Sequence, residues 1–207
     1  MDLELWIAFA LASLLLALIP GPGVVSIVGF AVSSGRRTAL ASVAGMAAGN
    51  FTAMSLSLAG LGAILAASAT AFTVLKFAGA AYLIVLGVLT FARARKATAA
   101  AIEAPPSIRP RTAFWTNVAV GTFHPKTIAF FVAFAPQFLA PERPYLPQAA
   151  IMILTFTGIA AITDSLYALA ASGQARRLRS VRTRRIAARA GGSVLIAAGV
   201  ATALARR

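Results

Sequence analysis

"GTFHPKTIAFF", residues 121–131, places a proline between a histidine and a lysine inside an apolar run. Proline cannot continue the helix behind it, and a lysine inside a membrane span costs several kcal/mol. His124 is the only histidine in the chain. The stretch therefore predicts a membrane-spanning helix that is broken at Pro125, and it raises the question of what the break is for.

The composition is that of a membrane protein. Of the 207 residues 59% are hydrophobic and 12% are charged, whereas soluble domains are about one-quarter charged. The net charge of +14 would suit a nucleic-acid-binding protein, but the basic residues lie between long apolar runs, which excludes that class. The chain has no cysteine, so disulfides and cysteine-based metal sites are excluded. The acidic start "MDLELW" argues against a cleavable signal peptide.

Six apolar segments are long enough, or nearly long enough, to span a bilayer, which requires about 20 helical residues. We therefore predict an all-α, polytopic membrane protein with six transmembrane helices. The sixth segment is the shortest. The segments are 4–33, 38–60, 68–91, 113–139, 147–173 and 187–205.

The basic residues predict the orientation. The linkers after the first, third and fifth segments carry two, five and seven of them, and the other side holds Arg143, Arg206 and Arg207. The positive-inside rule then places the three basic linkers in the cytoplasm and both termini outside, in a multi-pass inner-membrane protein. The three groups are Arg36 and Arg37; Arg93, Arg95, Lys96, Arg109 and Arg111; and Arg176, Arg177, Arg179, Arg182, Arg184, Arg185 and Arg189.

The proline-rich cytoplasmic linker 97–110 divides the single transmembrane domain 1–207 into halves, 1–96 and 111–207. Because each half has three spans, the second half enters the membrane inverted relative to the first. The first span of each half is broken, at "IPGPGVV" (19–25) and at "FHPKT" (123–127). Inverted repeats with broken helices are typical of secondary transporters, which bind substrate where the breaks meet.

The first break combines Pro20, Gly21, Pro22 and Gly23. Pro20 ends one helix, and Pro22 suits the first turn of the next. The glycines let a ligand approach the backbone, and the amides of a half-helix start favour a carboxylate. These four residues are candidate substrate ligands. The alternative is a simple proline kink packed by neighbouring helices.

The second break places Lys126 in the first turn of a half-helix opened by Pro125, where a cation opposes the helix dipole. Dipole and burial together predict a compensating anion, either a substrate carboxylate or a protein acid. The alternative is a lysine that snorkels to the interface. His124 either caps the half-helix or titrates near neutral pH.

Asp164 is the only acid within any predicted span. An intramembrane carboxylate predicts a proton carrier, a counter-ion for a substrate ammonium or a partner of Lys126; a purely structural pair is the alternative. Asn50 is a further candidate ligand. It lies beside a stripe of small residues that favours close helix packing: Ala41, Gly45, Gly49 and Ala53.

Several motifs together resemble the LysE/RhtB family of bacterial amino-acid exporters along nearly the whole chain. These are Pro20-Gly21-Pro22 followed by Gly35-Arg36-Arg37, "GMAAGN" (45–50), "LKFAGAAYLIVLG" (75–87) and "HPKTIAFFVAFAPQF" (124–138). Gly23 and His124 depart from the family, which often has a polar residue and usually asparagine at these positions.

The resemblance implies a secondary exporter of amino acids or close derivatives, driven by the proton gradient, with no enzyme activity and no cofactor or metal. Its partners would be the solute and the lipid bilayer, and a homodimer is left open. In this hypothesis Lys126 and the helix ends at 21–23 hold the substrate carboxylate, while Asp164 holds its ammonium or carries the proton. The alternative function is a cation-efflux or channel protein, although several membrane carboxylates or carbonyl rings would then be expected.

Overall fold

The computed structural model describes residues 1–67, 107–140 and 142–173, together with positions 70, 73–74, 77–78, 80–81, 84–85, 88–89, 193, 196–197 and 200. Within these residues the regular structure is entirely helical. The elements are α1 (Leu3–Leu18), α2 (Pro22–Ala67), α3 (Pro110–Thr122), α4 (Pro125–Ala129) and α5 (Tyr145–Gly173). From α4 the chain continues through a π-helical turn, Phe130–Phe134, and a 3₁₀ turn, Ala135–Phe138.

Both predicted helix breaks are present. The first lies between α1, which ends at Leu18, and α2, which begins at Pro22; Ile19 between them is extended, with φ −79° and ψ 113°. The second lies at Phe123 and His124, and Pro125 occupies the first turn of α4. Both prolines are placed where a missing N–H does no harm, because the first amides of a helix have no intrahelical acceptor.

Helix α2 is a hairpin of two arms that meet at Gly35. This glycine has φ 81° and ψ 178°, a conformation that side-chain-bearing residues rarely adopt. The arms fold back on each other, so that Gly23 faces Met46 across the hairpin. The first arm and α1 together form the predicted segment 4–33, and the second arm contains segment 38–60. The predicted turn at Arg36 and Arg37 is thereby confirmed.

The second arm of α2 packs closely against α3 through glycines. A Cβ on Gly45 or Gly49 would overlap the carbonyl oxygen of Phe114 or Val118, and one on Gly121 would lie 2.8 Å from the Met46 oxygen. Contacts this short need residues without side chains. The prediction that the glycines of the small-residue stripe serve packing is confirmed.

A buried asparagine that the motifs did not single out ties three helical segments together. Asn117 on α3 accepts a hydrogen bond from the Ser26 hydroxyl (2.7 Å) and donates to the Ser42 carbonyl (3.2 Å). It therefore links both arms of α2 to α3, and it does so without facing the site described below.

Aromatic rings fill the core between α1, α5 and the segment after α4. Phe9 packs edge-on against Phe138 with ring centroids 5.5 Å apart, and Phe131 packs edge-on against Phe156 at 5.1 Å. Many large apolar side chains point outward instead, Phe123, Leu146 and Leu154 among them. An outer surface this apolar suits lipid rather than water.

The two ends of the molecule differ in charge. At one end the Ile108 amide donates to the Ser34 hydroxyl, which brings the start of α3 to the Gly35 turn. Arg36, Arg37 and Arg109 lie next to these residues in the sequence. At the other end Arg143 forms an ion pair with Asp2, and the Tyr145 hydroxyl donates to the Leu58 carbonyl (2.6 Å).

Two helices in the described part of the chain are long and apolar enough to cross a membrane. They are Pro22–Gly62, which includes the Gly35 turn, and Tyr145–Gly173, with mean hydropathy 1.3 and 1.7. Most residues of the predicted third and sixth segments and of the linker 97–110 lie outside the described residues. The helical class is confirmed, whereas the six-span topology and the two inverted halves stay predictions.

Candidate functional site

The first break leaves backbone groups of both polarities unused by their own helices. The Ile19 amide bonds back to the Leu16 carbonyl (3.3 Å), and the first helical bond of α2 runs from the Val25 amide to the Gly21 carbonyl (3.0 Å). The amides of Gly23 and Val24 precede that bond, so no helical carbonyl is available to them. The break therefore presents acceptors at the end of α1 and donors at the start of α2.

The second break satisfies its backbone locally. The Phe123 amide bonds to the Ala119 carbonyl (3.1 Å) and the His124 amide to the Gly121 carbonyl (3.3 Å). The His124 carbonyl accepts from the amides of Thr127 and Ile128, both at 3.1 Å. His124 is thus the residue that caps α4, but it does so through its backbone, because its ring makes no capping bond. Its Nδ1 instead bonds the Thr127 hydroxyl at 2.9 Å.

Lys126 connects the two breaks. Its ammonium donates to the carbonyls of Leu16 (3.0 Å) and Ile19 (3.2 Å) at the end of α1. A cation is stabilised at a helix C-terminus by the helix dipole and by direct bonds to the last carbonyls. Carbonyl dipoles at the end of another helix therefore supply part of the compensation for Lys126. The compensating anion stays a prediction.

Asp164 lies on α5 with its side chain buried. Within the described residues no salt bridge joins it to Lys126; the ion pair found there is the one between Arg143 and Asp2. Whether the two residues form a purely structural pair stays an open alternative. One turn further along α5, the Tyr167 hydroxyl donates to the Leu18 carbonyl (2.9 Å), so α5 also holds the end of α1.

A small cleft of about 30 Å³, partly open to the outside, lies between these elements. It has room for a water molecule, which needs about 10–15 Å³ on the same measure. Six of the nine predicted site residues line it: Gly21, Gly23, Asn50, His124, Lys126 and Asp164. Pro20 and Pro22 are not among the lining residues, and they and Pro125 act by ending or starting helices.

Gly21 lies where the two nitrogen-bearing side chains of the second break approach the first. A Cβ placed on it would be 3.4 Å from His124 Nε2 and 3.8 Å from Lys126 Nζ. The space that a side chain would occupy is therefore left to the cleft. Gly21 was predicted to allow close approach of a ligand, and this role stays a prediction.

Two buried polar atoms at the cleft have no hydrogen-bond partner in the described part of the protein. They are Nε2 of His124 and Oδ1 of Asn50, whose side chains are 7% and 5% exposed. Buried polar atoms are nearly always bonded, and each unbonded one costs about 1–3 kcal/mol. A water molecule or another polar group in the cleft would satisfy these two atoms.

Sequence reasoning missed Thr127 and Tyr167. Thr127 lines the cleft and orients the His124 ring, and Tyr167 supports α1. Tyr167 carried a usable signal, because it follows Asp164 by three residues and so shares its helix face. Thr127 carried none, since its role depends on the ring orientation of His124.

Comparison with known proteins agrees with this architecture. The family model described as "LysE type translocator" matches residues 14–206. The chain is 34% identical over 206 residues to a homoserine/homoserine lactone efflux protein of Salmonella typhimurium, covering 100% of this chain and 99% of the relative. It is 31% identical to an uncharacterized membrane protein of Vibrio cholerae, with 100% of both chains covered.

A leucine efflux protein of an Enterobacter strain is 27% identical over 139 residues, which are 66% of this chain and 64% of that one. No solved structure gives a significant match. The match of the family model to nearly the whole chain establishes the class of protein, a membrane transporter and not an enzyme. The chain belongs to the LysE-type translocator family.

Proposed function

We propose that this protein exports a small amino acid or a close derivative, such as homoserine, across the bacterial inner membrane in exchange for protons. The observation that carries the proposal is the cleft where the two helix breaks meet. It is lined by one cation, Lys126, and one acid, Asp164, which form no salt bridge with each other in the described part of the chain. A zwitterion needs both signs of charge within one small site.

The carboxylate of the substrate is assigned to Lys126 and the start of α2. An ammonium group has three donors, and the carbonyls of Leu16 and Ile19 take two of them. The third is left for a carboxylate, and Gly23 and Val24, whose amides precede the first helical bond of α2, line the same cleft. Binding there would set a substrate carboxylate in competition with the end of α1 for Lys126.

The substrate ammonium and the transported proton are both assigned to Asp164. A carboxylate can hold an ammonium or a proton but not both at once, which is the simplest basis for exchange. Since Asp164 is the only acid among the cleft residues, one site would alternate between the two cargoes. Release of the substrate outside would then be linked to uptake of a proton.

The names of the relatives support this class of cargo. One is named for efflux of homoserine and its lactone, and another for efflux of leucine. These amino acids differ in their side chains and share the backbone carboxylate and ammonium. Lys126 and Asp164 are assigned to bind these shared groups, so they would select amino acids as a class. The remaining cleft residues would select among amino acids by their side chains.

The orientation of the protein in the membrane is assigned from charge. The Gly35 turn and the start of α3 carry Arg36, Arg37 and Arg109 at one end of the molecule, which the positive-inside rule places in the cytoplasm. Both termini would then be outside. The two breaks would lie between the ends, at the depth where inverted-repeat transporters bind substrate.

Efflux from proteoliposomes tests the proposal. Vesicles are loaded with all twenty amino acids and homoserine, and the solutes lost are identified by mass spectrometry with and without an inward proton gradient. We expect selective loss of a few small amino acids, stimulated by the gradient. Loss of metal cations instead, or no selective loss from folded protein, would contradict the proposal in favour of a channel or another solute.

Asp164→Asn separates the two roles of the carboxylate. We expect this variant to stop net gradient-driven efflux, because an amide cannot carry the proton. Glu142→Gln is the matched control, since it removes an exposed acid outside the cleft and should leave efflux unchanged. Proton-coupled efflux that persists in Asp164→Asn would remove Asp164 from the mechanism.

A further inference from the structure

The charged pair in the cleft does not use the two unpartnered polar atoms. His124 Nε2 and Asn50 Oδ1 are buried and face the same space as Lys126 and Asp164. The His124 backbone amide donates to the Gly121 carbonyl, and a Cβ on Gly121 would lie 3.0 Å from the backbone nitrogen of Asn50. The backbone of Asn50 on α2 therefore lies next to Gly121 on α3, and His124 follows at the break between α3 and α4. Asn50 and His124 both line the cleft.

The chemistry of these atoms restricts what can satisfy them. A neutral histidine donates from one ring nitrogen and accepts at the other, and the Thr127 hydroxyl already bonds Nδ1. Nε2 is therefore a donor or an acceptor according to the tautomer, whereas the amide oxygen of Asn50 is an acceptor. When the Thr127 hydroxyl donates to Nδ1, Nε2 carries the hydrogen, and one hydroxyl complements the pair by accepting from Nε2 and donating to Asn50 Oδ1. In the other tautomer both atoms are acceptors, and a hydroxyl can donate to only one of them. A methyl group complements neither atom.

From this arrangement we propose that His124 and Asn50 form a subsite for a hydroxyl group on the side chain of the transported amino acid. The inference rests on the proposed function and names the substrate class more narrowly: small amino acids with a side-chain hydroxyl, in preference to apolar ones of the same size. An apolar side chain would bury both polar atoms without partners, and such sites reject analogues that lack the hydrogen-bonding group.

The imidazole ring of His124 is fixed by Thr127, so Nε2 is directed at the cleft from a set position. The other walls, at Met46, Phe156 and Ala160, are apolar and suit the carbon chain of a short side chain. Recognition of the hydroxyl is therefore assigned to the polar side chains of His124 and Asn50 and not to these apolar walls.

The test compares homoserine with norvaline, in which a methyl group replaces the hydroxyl of homoserine. Efflux of each is measured from the same proteoliposomes at equal concentrations. We expect the full-length protein to transport homoserine at least about tenfold faster at low concentration. Equal rates for both solutes would overturn the subsite while leaving the amino-acid exporter intact, and transport of neither would overturn the proposed function itself.

Two variants locate the preference. Asn50→Leu and His124→Phe keep the size of each side chain and remove its hydrogen-bonding atoms, so each should lower the homoserine-to-norvaline ratio while norvaline efflux continues. Thr52→Val is the control, because it removes an exposed hydroxyl from the same helix as Asn50. A ratio that stays unchanged in both cleft variants would contradict the assignment, and continued norvaline efflux shows that the variants are folded.

Discussion

The two helix breaks look alike in sequence but are built differently. At the second break the loose backbone groups of Phe123 and His124 are bonded to residues nearby in the chain. At the first break the end of α1 relies on distant side chains, Lys126 and Tyr167, for its carbonyls. The second break is therefore self-contained, whereas the first is held in place by the rest of the molecule.

This difference makes the dependence between the breaks one-sided. Lys126 belongs to the second break and donates hydrogen bonds to the first. Among the contacts of the described residues, no residue of the first break bonds to the backbone of Phe123 or His124. A ligand that draws Lys126 away would loosen α1 and leave α4 as it is. Substrate binding at Lys126 would therefore move α1 and leave α4 in place.

The largest expected effect comes from Lys126→Met. It removes the cation assigned to the substrate carboxylate and both bonds to the end of α1. We expect homoserine efflux to fall by more than about 100-fold, since an unpaired buried charge costs 3–5 kcal/mol, and the unfolding free energy to fall by about 1–2 kcal/mol. Efflux assays and thermal unfolding in detergent measure the two effects.

Arg143→Gln is the control for this variant, because Arg143 is an exposed cation paired with Asp2 at the end of the molecule. It should change neither efflux nor stability appreciably. Normal efflux in Lys126→Met would show that Lys126 serves only to hold α1.

A smaller effect is expected from Gly21→Ala. The added methyl group would meet His124 Nε2 and Lys126 Nζ at ordinary contact distances, so the fold should be kept while the approach to both nitrogens is narrowed. We expect roughly tenfold slower efflux with an unchanged melting temperature. Gly60→Ala, where a Cβ meets nothing within 4 Å, is the matched control and should behave like the parent protein. Equal behaviour of the two variants would place the substrate elsewhere.

The smallest effect is expected from Tyr167→Phe, which removes one bond to the end of α1 and leaves Lys126 in place. A single hydrogen bond between transmembrane helices contributes about 0.6 kcal/mol, so efflux should change by less than about threefold. Tyr145→Phe removes an equivalent bond, to the Leu58 carbonyl, at the opposite end of the molecule. If efflux falls in Tyr167→Phe and not in Tyr145→Phe, the end of α1 matters to transport; the same result in both would argue that it does not.

Much of the fold was predictable because proline and glycine act locally. Pro22 and Pro125 mark the starts of helices, and Gly35 marks the turn between the arms of α2. The four-residue spacing of Gly45 and Gly49 alone predicted close packing of helices. In each case the backbone chemistry of one residue decides the outcome, without reference to distant parts of the chain.

The partners of the site residues were less predictable. The cost of burying Lys126 was clear from the sequence, but the carbonyls that satisfy it belong to Leu16 and Ile19, more than 100 positions away. Every residue has a backbone carbonyl, so the sequence does not show which carbonyl binds Lys126. An acidic side chain was therefore the partner that the sequence predicted. Likewise, the sequence does not show that Asn50 Oδ1 and His124 Nε2 have no hydrogen-bond partner, because that depends on their distances to side chains from other helices.

The central claim is that Lys126 binds the carboxylate and Asp164 the ammonium of one substrate. The most direct measurement is inhibition of homoserine counterflow by homoserine amide, which lacks the carboxylate, and by N-acetylhomoserine, which lacks the ammonium, in the parent, Lys126→Met and Asp164→Asn proteins. The account predicts a crossed result: Lys126→Met loses discrimination against the amide only, and Asp164→Asn loses discrimination against the acetyl derivative only. If both variants lose discrimination against both analogues, or keep it against both, the two residues do not divide the substrate between them and the claim is wrong.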